Sequence, residues 1–412
     1  SLVRRLSANF RLSKGQKTPY KALLTGHTGS GKSSELIRVG VELSRDFLVF
    51  WFDAERSLVI EKATVFEVIL GLGLAVHKAA TQSNLQPNPQ LAQKLLNSLS
   101  KFVRTHEERK GFALKLQPVL KQITAMVIGA GAGATVAGPV GAMIGAIGAT
   151  TALDLNVRDD LTRTLEMPLN KIEIIGALQT IINEIQLAAR LPLLIIIDGL
   201  DKVPPAQAHK LFSETRLLSE PDCALLYAAP IDLYFRSNRV VHIFNEHAKL
   251  PALIVNKRPP TGDDWRRDRA ENPAGIELLR KVAARRLESH GLTVDQIIDD
   301  AALNRLARMS GGIMRDMIRL FREAAFNAQL LGKTRIDDEI ARNAVAKYQN
   351  EHGSQLKENE REVIRRALRQ GWFSGGASAN DEYDLVYNLH LLSYEEGNNI
   401  WIDAHPLVLS SL

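Results

Sequence analysis

The segment Gly26-His27-Thr28-Gly29-Ser30-Gly31-Lys32-Ser33 constrains the fold of this chain more than any other. Its glycines allow successive backbone N–H groups to converge on phosphate oxygens, its lysine can reach outer phosphates, and its hydroxyl can bind a metal ion. An apolar run precedes the segment and a helical pattern begins at Ser34, which is the strand, loop and helix order that such a loop requires. The residues predicted to bind phosphate are Gly26, His27, Thr28, Gly29, Ser30, Gly31, Lys32, Ser33 and Ser34.

A second candidate element is the run Leu193-Leu194-Ile195-Ile196-Ile197, which ends at Asp198. A carboxylate at the end of a buried strand can hold Mg²⁺ through water while the hydroxyl of Ser33 ligates the ion directly. Asp201 could orient or deprotonate an attacking water, although an aspartate here is also a common helix N-cap. No glutamate adjoins Asp198, so we expect hydrolysis to be slow. Together with Lys32 of the glycine-rich loop, Asp198 and Asp201 are candidate catalytic residues.

Five short apolar runs indicate the fold class. Besides the two above, they are Phe47–Phe52, Ala224–Ala228 and Ala252–Val255. Buried parallel strands joined by helices have this pattern, and their ligands bind at the carboxyl ends of the strands. The sequence therefore predicts an α/β P-loop NTPase fold with a parallel sheet.

The residues between the second and third strands exceed what one crossover needs, which indicates a large insertion at about residues 60–190. Helical spacing predicts helices at Thr64–Ala80, Leu91–His106 and Leu169–Ala189. Between them, Ile123–Leu153 contains no charged residue and has recurrent glycines. Small residues one turn apart allow close helix packing, as in a glycine zipper. This segment is interpreted as a buried or flexible hairpin, a membrane-inserting segment or a subunit contact.

The C-terminal part predicts two further regions. Amphipathic patterns predict lid helices, and a helix pair followed by a hairpin through Gly397-Asn398-Asn399 suggests a winged helix. The predicted boundaries are a basic lead segment 1–18, the NTPase domain 19–262, a helical lid domain 263–352 and a winged-helix domain 353–412. The predicted helices are Ile276–Ser289, Ala301–Met309, Ile313–Leu330, Asp337–Tyr348, Glu358–Arg369 and Glu382–Leu392.

Composition and the first residues bear on the cellular compartment and on possible binding partners. The single cysteine among 412 residues, Cys223, excludes an internal disulfide and a zinc site built from several cysteines, which favours a reducing cytoplasmic compartment. The start Ser1-Leu2-Val3-Arg4-Arg5 lacks the pattern of a cleavable signal peptide. The net charge of +6 is compatible with contact to nucleic acid or to an anionic membrane.

The stretch Ile196-Ile197-Asp198-Gly199-Leu200-Asp201-Lys202 resembles the Walker B motif of NACHT-type proteins, in the STAND branch of AAA+ P-loop NTPases. That family pattern ends in an acidic residue, from which Lys202 departs. The KAP group is also similar, since its motif ends in Leu-Asp-basic and its members carry an insertion that often contains membrane segments.

The stretch Ser310-Gly311-Gly312-Ile313-Met314-Arg315-Asp316 resembles the sensor 2 region of AAA+ proteins. This resemblance implies that Arg315 reaches the γ-phosphate, as a nucleotide-binding and catalytic residue; the alternative is an exposed helix arginine. Sensor 1 finds no match, because Pro230 stands where a polar residue or an arginine is expected. Arg236 and Arg239 are candidate arginine fingers.

The resemblance implies an ATP-dependent signalling switch with ATP and Mg²⁺ as ligands and an assembly state that changes with nucleotide. Bacterial relatives often act in antiviral defence, and here segment 123–153 would contact a membrane on activation. The choice of ATP over GTP also rests on the resemblance. Partners would be further copies of the chain or an effector protein. One alternative is a DNA-associated AAA+ ATPase with the winged helix as reader, and another is a regulatory ATP-binding module with negligible turnover.

For the winged helix itself, protein packing and DNA contact are the two interpretations. The predicted second helix is acidic at its start, at Asp381-Glu382, which opposes contact with phosphates. The helix before it is basic, with Arg361, Arg365, Arg366 and Arg369.

Overall fold

A computed structural model describes residues 2–83, 85, 168–236, 239–266, 268–373 and 379–412. The chain forms two compact units. Unit 1 comprises Ser1–Thr25, Ser33–Leu233 and Ser237–Ala248, and unit 2 comprises Gly26–Lys32, Tyr234–Arg236 and Lys249–Leu412. Most of the glycine-rich loop therefore belongs to the same unit as the C-terminal region.

Five strands form one sheet in the order β2-β3-β4-β1-β5. The pairs β2–β3 and β3–β4 are parallel. This arrangement confirms the predicted α/β P-loop NTPase sheet. The strands are β1 (Lys21–Gly26), β2 (Leu48–Asp53), β3 (Leu193–Asp198), β4 (Ala224–Pro230) and β5 (Glu246–Leu250).

Strand β3 forms the centre of the unit 1 core. Its five apolar residues, Leu193–Ile197, are fully buried, and burial of each side chain stabilises the fold by roughly 1.5–3 kcal/mol. Pairing with β2 places Asp53 opposite Asp198. Two carboxylates consequently meet at the carboxyl edge of the sheet.

The helices of unit 1 flank the strands in sequence. The predicted helices at Thr64–Ala80 and Leu169–Ala189 are confirmed as α4 and α5, and Thr64 caps α4 in a capping box with Glu67. The predicted helix Leu91–His106 and the glycine-rich segment 123–153 lie outside the described residues. The bounds are α1 (Leu2–Leu12), α2 (Lys32–Leu43), α3 (Ala54–Ser57), α4 (Val65–Gln82), α5 (Pro168–Ala189) and α6 (Pro205–Phe212). Helix α7 (Asp232–Arg236) begins in unit 1 and ends in unit 2.

The predicted position of the fifth strand is wrong. The strand is Glu246–Leu250, whereas the apolar run Ala252–Val255 lies outside the helices and strands and belongs to unit 2. There the N–H of Leu253 donates to the carbonyl of Gly312 at 3.3 Å. The run is apolar because it is buried among the helices and hairpin of unit 2, with Ala252 and Val255 in their cores.

Unit 2 contains the predicted lid helices. They share one apolar core, built from faces such as Leu303, Leu306 and Leu320. In the described part of the chain, no helix is both long and apolar enough to cross a bilayer. The helices are α8 (Pro273–Glu288), α9 (Val294–Ile297), α10 (Asp300–Met309), α11 (Met314–Leu330) and α12 (Asp338–Gln355).

The C-terminal elements of unit 2 follow the predicted helix, helix, hairpin order. Strands β6 and β7 pair antiparallel around Gly397 and Asn398, and Gly397 has a φ of 60°. The predicted helix Glu382–Leu392 is corrected, because Leu391 and Leu392 already belong to β6. The elements are α13 (Glu358–Gln370), α14 (Ala379–Tyr387), β6 (Leu391–Glu396), β7 (Asn399–Ala404) and α15 (Pro406–Leu409).

A buried ion pair ties β7 to the chain preceding α8. Arg269 donates to the two carboxylate oxygens of Asp403 at 3.1 and 2.7 Å, and both side chains are more than nine-tenths buried. Removing one partner of such a pair leaves an uncompensated buried charge and costs about 3–5 kcal/mol.

We therefore expect Arg269→Met to lower the stability of unit 2 by about 3–5 kcal/mol. The matched control is Arg280→Met, whose partner Asp300 is exposed and whose loss should be below about 1 kcal/mol. Urea denaturation followed by tryptophan fluorescence measures both, since Trp265, Trp372 and Trp401 lie in unit 2. Equal losses in the two variants would show that the Arg269 pair has no special structural role.

Candidate nucleotide-binding site

The glycine-rich loop has the backbone shape that phosphate binding requires. Gly29 and Gly31 adopt φ values of 89° and 103°, a region that side chains disfavour. The N–H of Ser30 donates to the carbonyl of His27 at 3.0 Å, and the ammonium of Lys32 donates to the carbonyls of Gly26 and His27 at 2.7 and 2.9 Å. The loop thus curls around its own lysine.

The first turn of lid helix α11 lies directly against this loop. The N–H of Arg315 donates to the carbonyl of Gly29 at 3.2 Å. A Cβ atom at Gly29 would lie 2.6 Å from the Cβ of Arg315, and one at Gly31 would lie 3.4 Å from the sulfur of Met314. The structure therefore places Arg315 against the loop, and the glycines permit that approach.

His27 connects the loop to the winged-helix hairpin. Its ring is fully buried, and its Nε2 accepts a hydrogen bond from the N–H of Ser393 in β6 at 2.8 Å. Burial, with further contributions from Lys32, His405 and Lys249, lowers the pKa of His27 to about 3. The ring is consequently neutral near pH 7 and carries its proton on Nδ1.

The second half of the predicted site lies in unit 1. Ser33 and Ser34 are exposed in the first turn of α2, and the side chain of Ser33 hydrogen-bonds to that of Asp198. Burial raises the pKa of Asp198 above its ordinary value, the hydrogen bond from Ser33 opposes this, and the charges of Asp201 and Asp53 add to it. Asp198 is thus a partly buried carboxylate near other negative charges, a setting that a cation would stabilise.

These residues fit a magnesium ion. Mg²⁺ binds hard oxygen ligands and, at phosphate sites, takes one or two from the protein and the rest from phosphates and water. Ser33 and Asp198 supply a hydroxyl and a carboxylate side by side. Among the described residues, no group of three or more His, Cys, Asp or Glu side chains could hold a metal ion. Because a hydroxyl and a carboxylate are hard oxygen ligands, Ser33 and Asp198 are the residues that would hold Mg²⁺ together with bound phosphates.

Asp201 lies in a short 3₁₀ turn, Leu200–Lys202, and is buried. It does not cap the next helix, because the N-cap of α6 is Pro204. The N-cap interpretation of Asp201 is therefore wrong for this helix. Its electrostatic effect on Asp198 places it near the candidate metal ligands.

The arginine-finger candidates have different settings. Arg236 lies in unit 2 and donates to Asp384 at 2.9 Å and to Asn380 at 3.2 Å, on helix α14. Arg239 lies in unit 1 and is exposed. Pro230 ends β4, as the sequence predicts, so this strand end offers no polar side chain for sensor 1.

Sequence reasoning missed two acidic residues at the edge of the sheet. Asp53 lies opposite Asp198, and Glu55 forms an ion pair with Lys202. The signal for Asp53 was present, because it ends an apolar strand like Asp198 does. Nothing in the sequence indicated that its strand pairs with β3, and so the sequence alone could not bring Asp53 and Glu55 to this site.

No family model matches this chain, and no curated protein matches it either. The chain is similar to solved structures that include the Thermotoga maritima RuvB Holliday junction branch migration motor, with 13% identity and a TM-score of 0.37 over 97% of this chain and 90% of that one. It is also similar to the Aeropyrum pernix ORC2 protein in ADPNP-ADP complexes, with 11% identity and a TM-score of 0.39 over 98% and 89%. A third is the Aeropyrum pernix ORC1 protein in complex with DNA, with 14% identity and a TM-score of 0.38 over 98% and 88%.

Proposed function

We propose that this chain is a magnesium-dependent ATPase that acts as a slow molecular switch. One observation carries the proposal: the phosphate-binding loop belongs to the same compact unit as the lid and the winged helix, to which it is hydrogen-bonded. Gly29 accepts from the backbone of Arg315, and His27 accepts from the backbone of Ser393. Ligand binding at this loop therefore acts directly on both C-terminal elements.

The physical basis of the switch is a difference in contacts between two states. A ligand shifts a conformational equilibrium only by its differential affinity for the two forms. Phosphates bound to the loop would add negative charge next to Arg315, which would favour a form in which its guanidinium contacts the γ-phosphate. ADP lacks that phosphate, so the two nucleotides would favour different positions of α11.

The roles within the site follow from the chemistry of each residue. Lys32 would bind the outer phosphates, Ser33 and Asp198 would hold Mg²⁺, and Asp201 would help to position water. The slow rate is inferred from the absence of a glutamate beside Asp198. ATP is preferred over GTP in this proposal only by resemblance to the STAND and AAA+ proteins.

The biological role is the further part of the proposal. Nucleotide would change the assembly state of the chain, and the change would pass to an effector, with antiviral defence and membrane contact through segment 123–153 as the setting. That segment lies outside the described residues. The alternative is a regulatory module that binds ATP with negligible turnover. In that case only the nucleotide-binding part of this proposal is correct.

The DNA-associated alternative gains no support from the winged helix. In α13, the guanidinium groups of Arg361 and Arg365 lie 3.5 and 3.0 Å from the carboxylate of Glu358. In α14, Asp384 is paired with Arg236. Acidic side chains thus accompany the basic ones on α13, and α14 carries acidic side chains without a basic one, which weakens attraction to a phosphate backbone.

Lys32→Ala should weaken the binding of Mg²⁺-ATP by about 10–150-fold, because charge-assisted contacts to phosphate contribute about 1.5–3 kcal/mol. Calorimetric titration measures the Kd, and Lys17→Ala, at an exposed lysine outside the site, is the matched control. In light scattering, a non-hydrolysable ATP analogue should increase the mass of the wild type relative to ADP and leave that of Lys32→Ala unchanged. An unaltered Kd in Lys32→Ala would remove the site assignment.

Arg315→Ala should discriminate between the two nucleotides. We expect the Kd of the ATP analogue to rise by about 10–100-fold and that of ADP by less than 3-fold, because only ATP offers the γ-phosphate. Arg322→Ala on the same helix is the control, since its side chain is exposed. A uniform loss for both nucleotides would assign Arg315 to loop packing instead of γ-phosphate recognition.

Acid should destabilise unit 2 through His27. Its pKa is about 3 when folded and about 6.5 when unfolded, so its stabilising neutral form is fully present above pH 6.5 and is lost as the pH falls towards 3. His390, whose pKa burial lowers to about 4, acts in the same direction. Protonation of each histidine would lower the free energy of unfolding by up to about 2 kcal/mol between pH 7.5 and 5.

Urea denaturation of the nucleotide-free protein at the two pH values measures this effect. His27→Gln is the control, because an amide oxygen can accept from Ser393 but does not titrate in this range. Its loss on acidification should be smaller than that of the wild type. If acidification lowered the free energy of unfolding equally in both proteins, protonation of His27 would not be a cause of the acid destabilisation.

A further inference from the structure

The acidic residue that is missing after Asp201 has a counterpart in the short helix that follows the neighbouring strand. Lys202 stands where NACHT-type motifs carry an acid, and its ammonium forms an ion pair with the carboxylate of Glu55. Glu55 belongs to α3, which begins directly after β2. Since β2 pairs with β3, Glu55 follows the strand adjacent to the one that ends at Asp198.

The turn after Asp198 is shaped to accept Glu55. Gly199 has a φ of 87°, and a Cβ atom there would lie 2.6 Å from the backbone nitrogen of Glu55 and 2.9 Å from its Cβ. Any other residue would push α3 away from this turn. Gly199 therefore permits the close approach that places Glu55 beside Lys202.

The acidic groups at this edge have separate partners. The carboxylate of Asp53 caps α3, accepting from the N–H of Arg56 at 3.1 Å, and also pairs with the guanidinium of Arg56 at 3.4 Å. Asp198 is bonded to Ser33 and to the N–H of Gly199. Glu55 is held by a lysine instead and is half-exposed, so water reaches its carboxylate.

We propose that Glu55, positioned by Lys202, is the general base of the ATPase reaction; this inference rests on the function proposed above. The oxygen of a water molecule forms a bond to the γ-phosphorus as the bond from that phosphorus to the bridging oxygen breaks. The bond electrons leave with ADP. The proton of the water passes to the Glu55 carboxylate and then to solvent, so inorganic phosphate and one proton are released.

The role of Lys202 follows from the same geometry. An ion pair fixes the direction of a long, half-exposed carboxylate that would otherwise sample many rotamers. Lys202 is thus a positioning residue. Arginine at this position would keep the pair, whereas methionine would keep only the length of the side chain.

Nucleotide binding and single-turnover hydrolysis of Mg²⁺-ATP test the inference. We expect Glu55→Gln to lower the hydrolysis rate constant by about 100-fold or more and to change the Kd for ATP by less than 3-fold. Glu61→Gln, an exposed glutamate close in sequence, is the matched control with the wild-type rate. Lys202→Met should lose about 10-fold in rate with little change in Kd, and Lys202→Arg should recover most of the loss.

Chemical rescue separates a base from a structural residue. Glu55→Ala leaves room for a small carboxylate, so added formate should increase its rate, whereas chloride at the same ionic strength should not. The proposal would be overturned by a wild-type rate of hydrolysis in Glu55→Gln or by equal losses of rate and ATP affinity in that variant. The absence of rescue by formate in Glu55→Ala would also overturn it.

The remaining outcomes distinguish this proposal from the function on which it rests. A wild type that binds ATP but does not hydrolyse it would refute the base and leave a nucleotide-binding switch. A wild type that binds no ATP would refute both. A loss in Asp201→Asn as large as in Glu55→Gln, with rescue by formate confined to an Asp201→Ala variant, would assign the base to Asp201.

Discussion

Parallel pairing between β2 and β3 determines which side chains can share the edge of the sheet. Both strands are buried along their apolar residues and each ends in an aspartate, and the register places Asp53 opposite Asp198. A shift of one residue would turn the alternate side chains to the opposite face of the sheet. The approach of Glu55, which follows β2, to Gly199, which follows β3, depends on this register.

In unit 2, close backbone contacts determine which segments lie next to one another. Gly29 and Gly312 each admit another chain segment at a distance that a side chain would prevent: the Cβ of Arg315 for the first and the carbonyl of Leu253 for the second. The N–H of Ser393 contributes the third contact, to His27. Because these contacts involve mainly the backbone of the lid and hairpin, they depend on where those elements lie and much less on which side chains the elements carry.

The sequence predicted those parts of the protein that local patterns encode. The loop residues 26–33, the buried strand ending at Asp198 and most lid helices follow from spacing and apolar periodicity. The fifth strand was misplaced because Glu246–Leu250 lies at the edge of the sheet, where an uninterrupted apolar run is not needed. The run Ala252–Val255 has such a pattern for another reason, namely burial in unit 2. Pairings between distant residues, such as His27 with Ser393, leave no local pattern in one sequence.

The division between the units bears on how the proposed switch would work. The loop Gly26–Lys32 and Arg315 belong to unit 2, whereas Ser33, Asp198 and Glu55 belong to unit 1. Helix α2 begins at Lys32 and continues through Ser33, so the chain passes between the units inside the motif itself. Within unit 2, the loop is hydrogen-bonded to the backbone of Arg315 and of Ser393. Within unit 1, Glu55 approaches Gly199 at the edge formed by β2 and β3. A substitution in the loop would therefore act first on the lid and hairpin contacts, whereas a substitution at Glu55 or Gly199 would act first on the edge of the sheet.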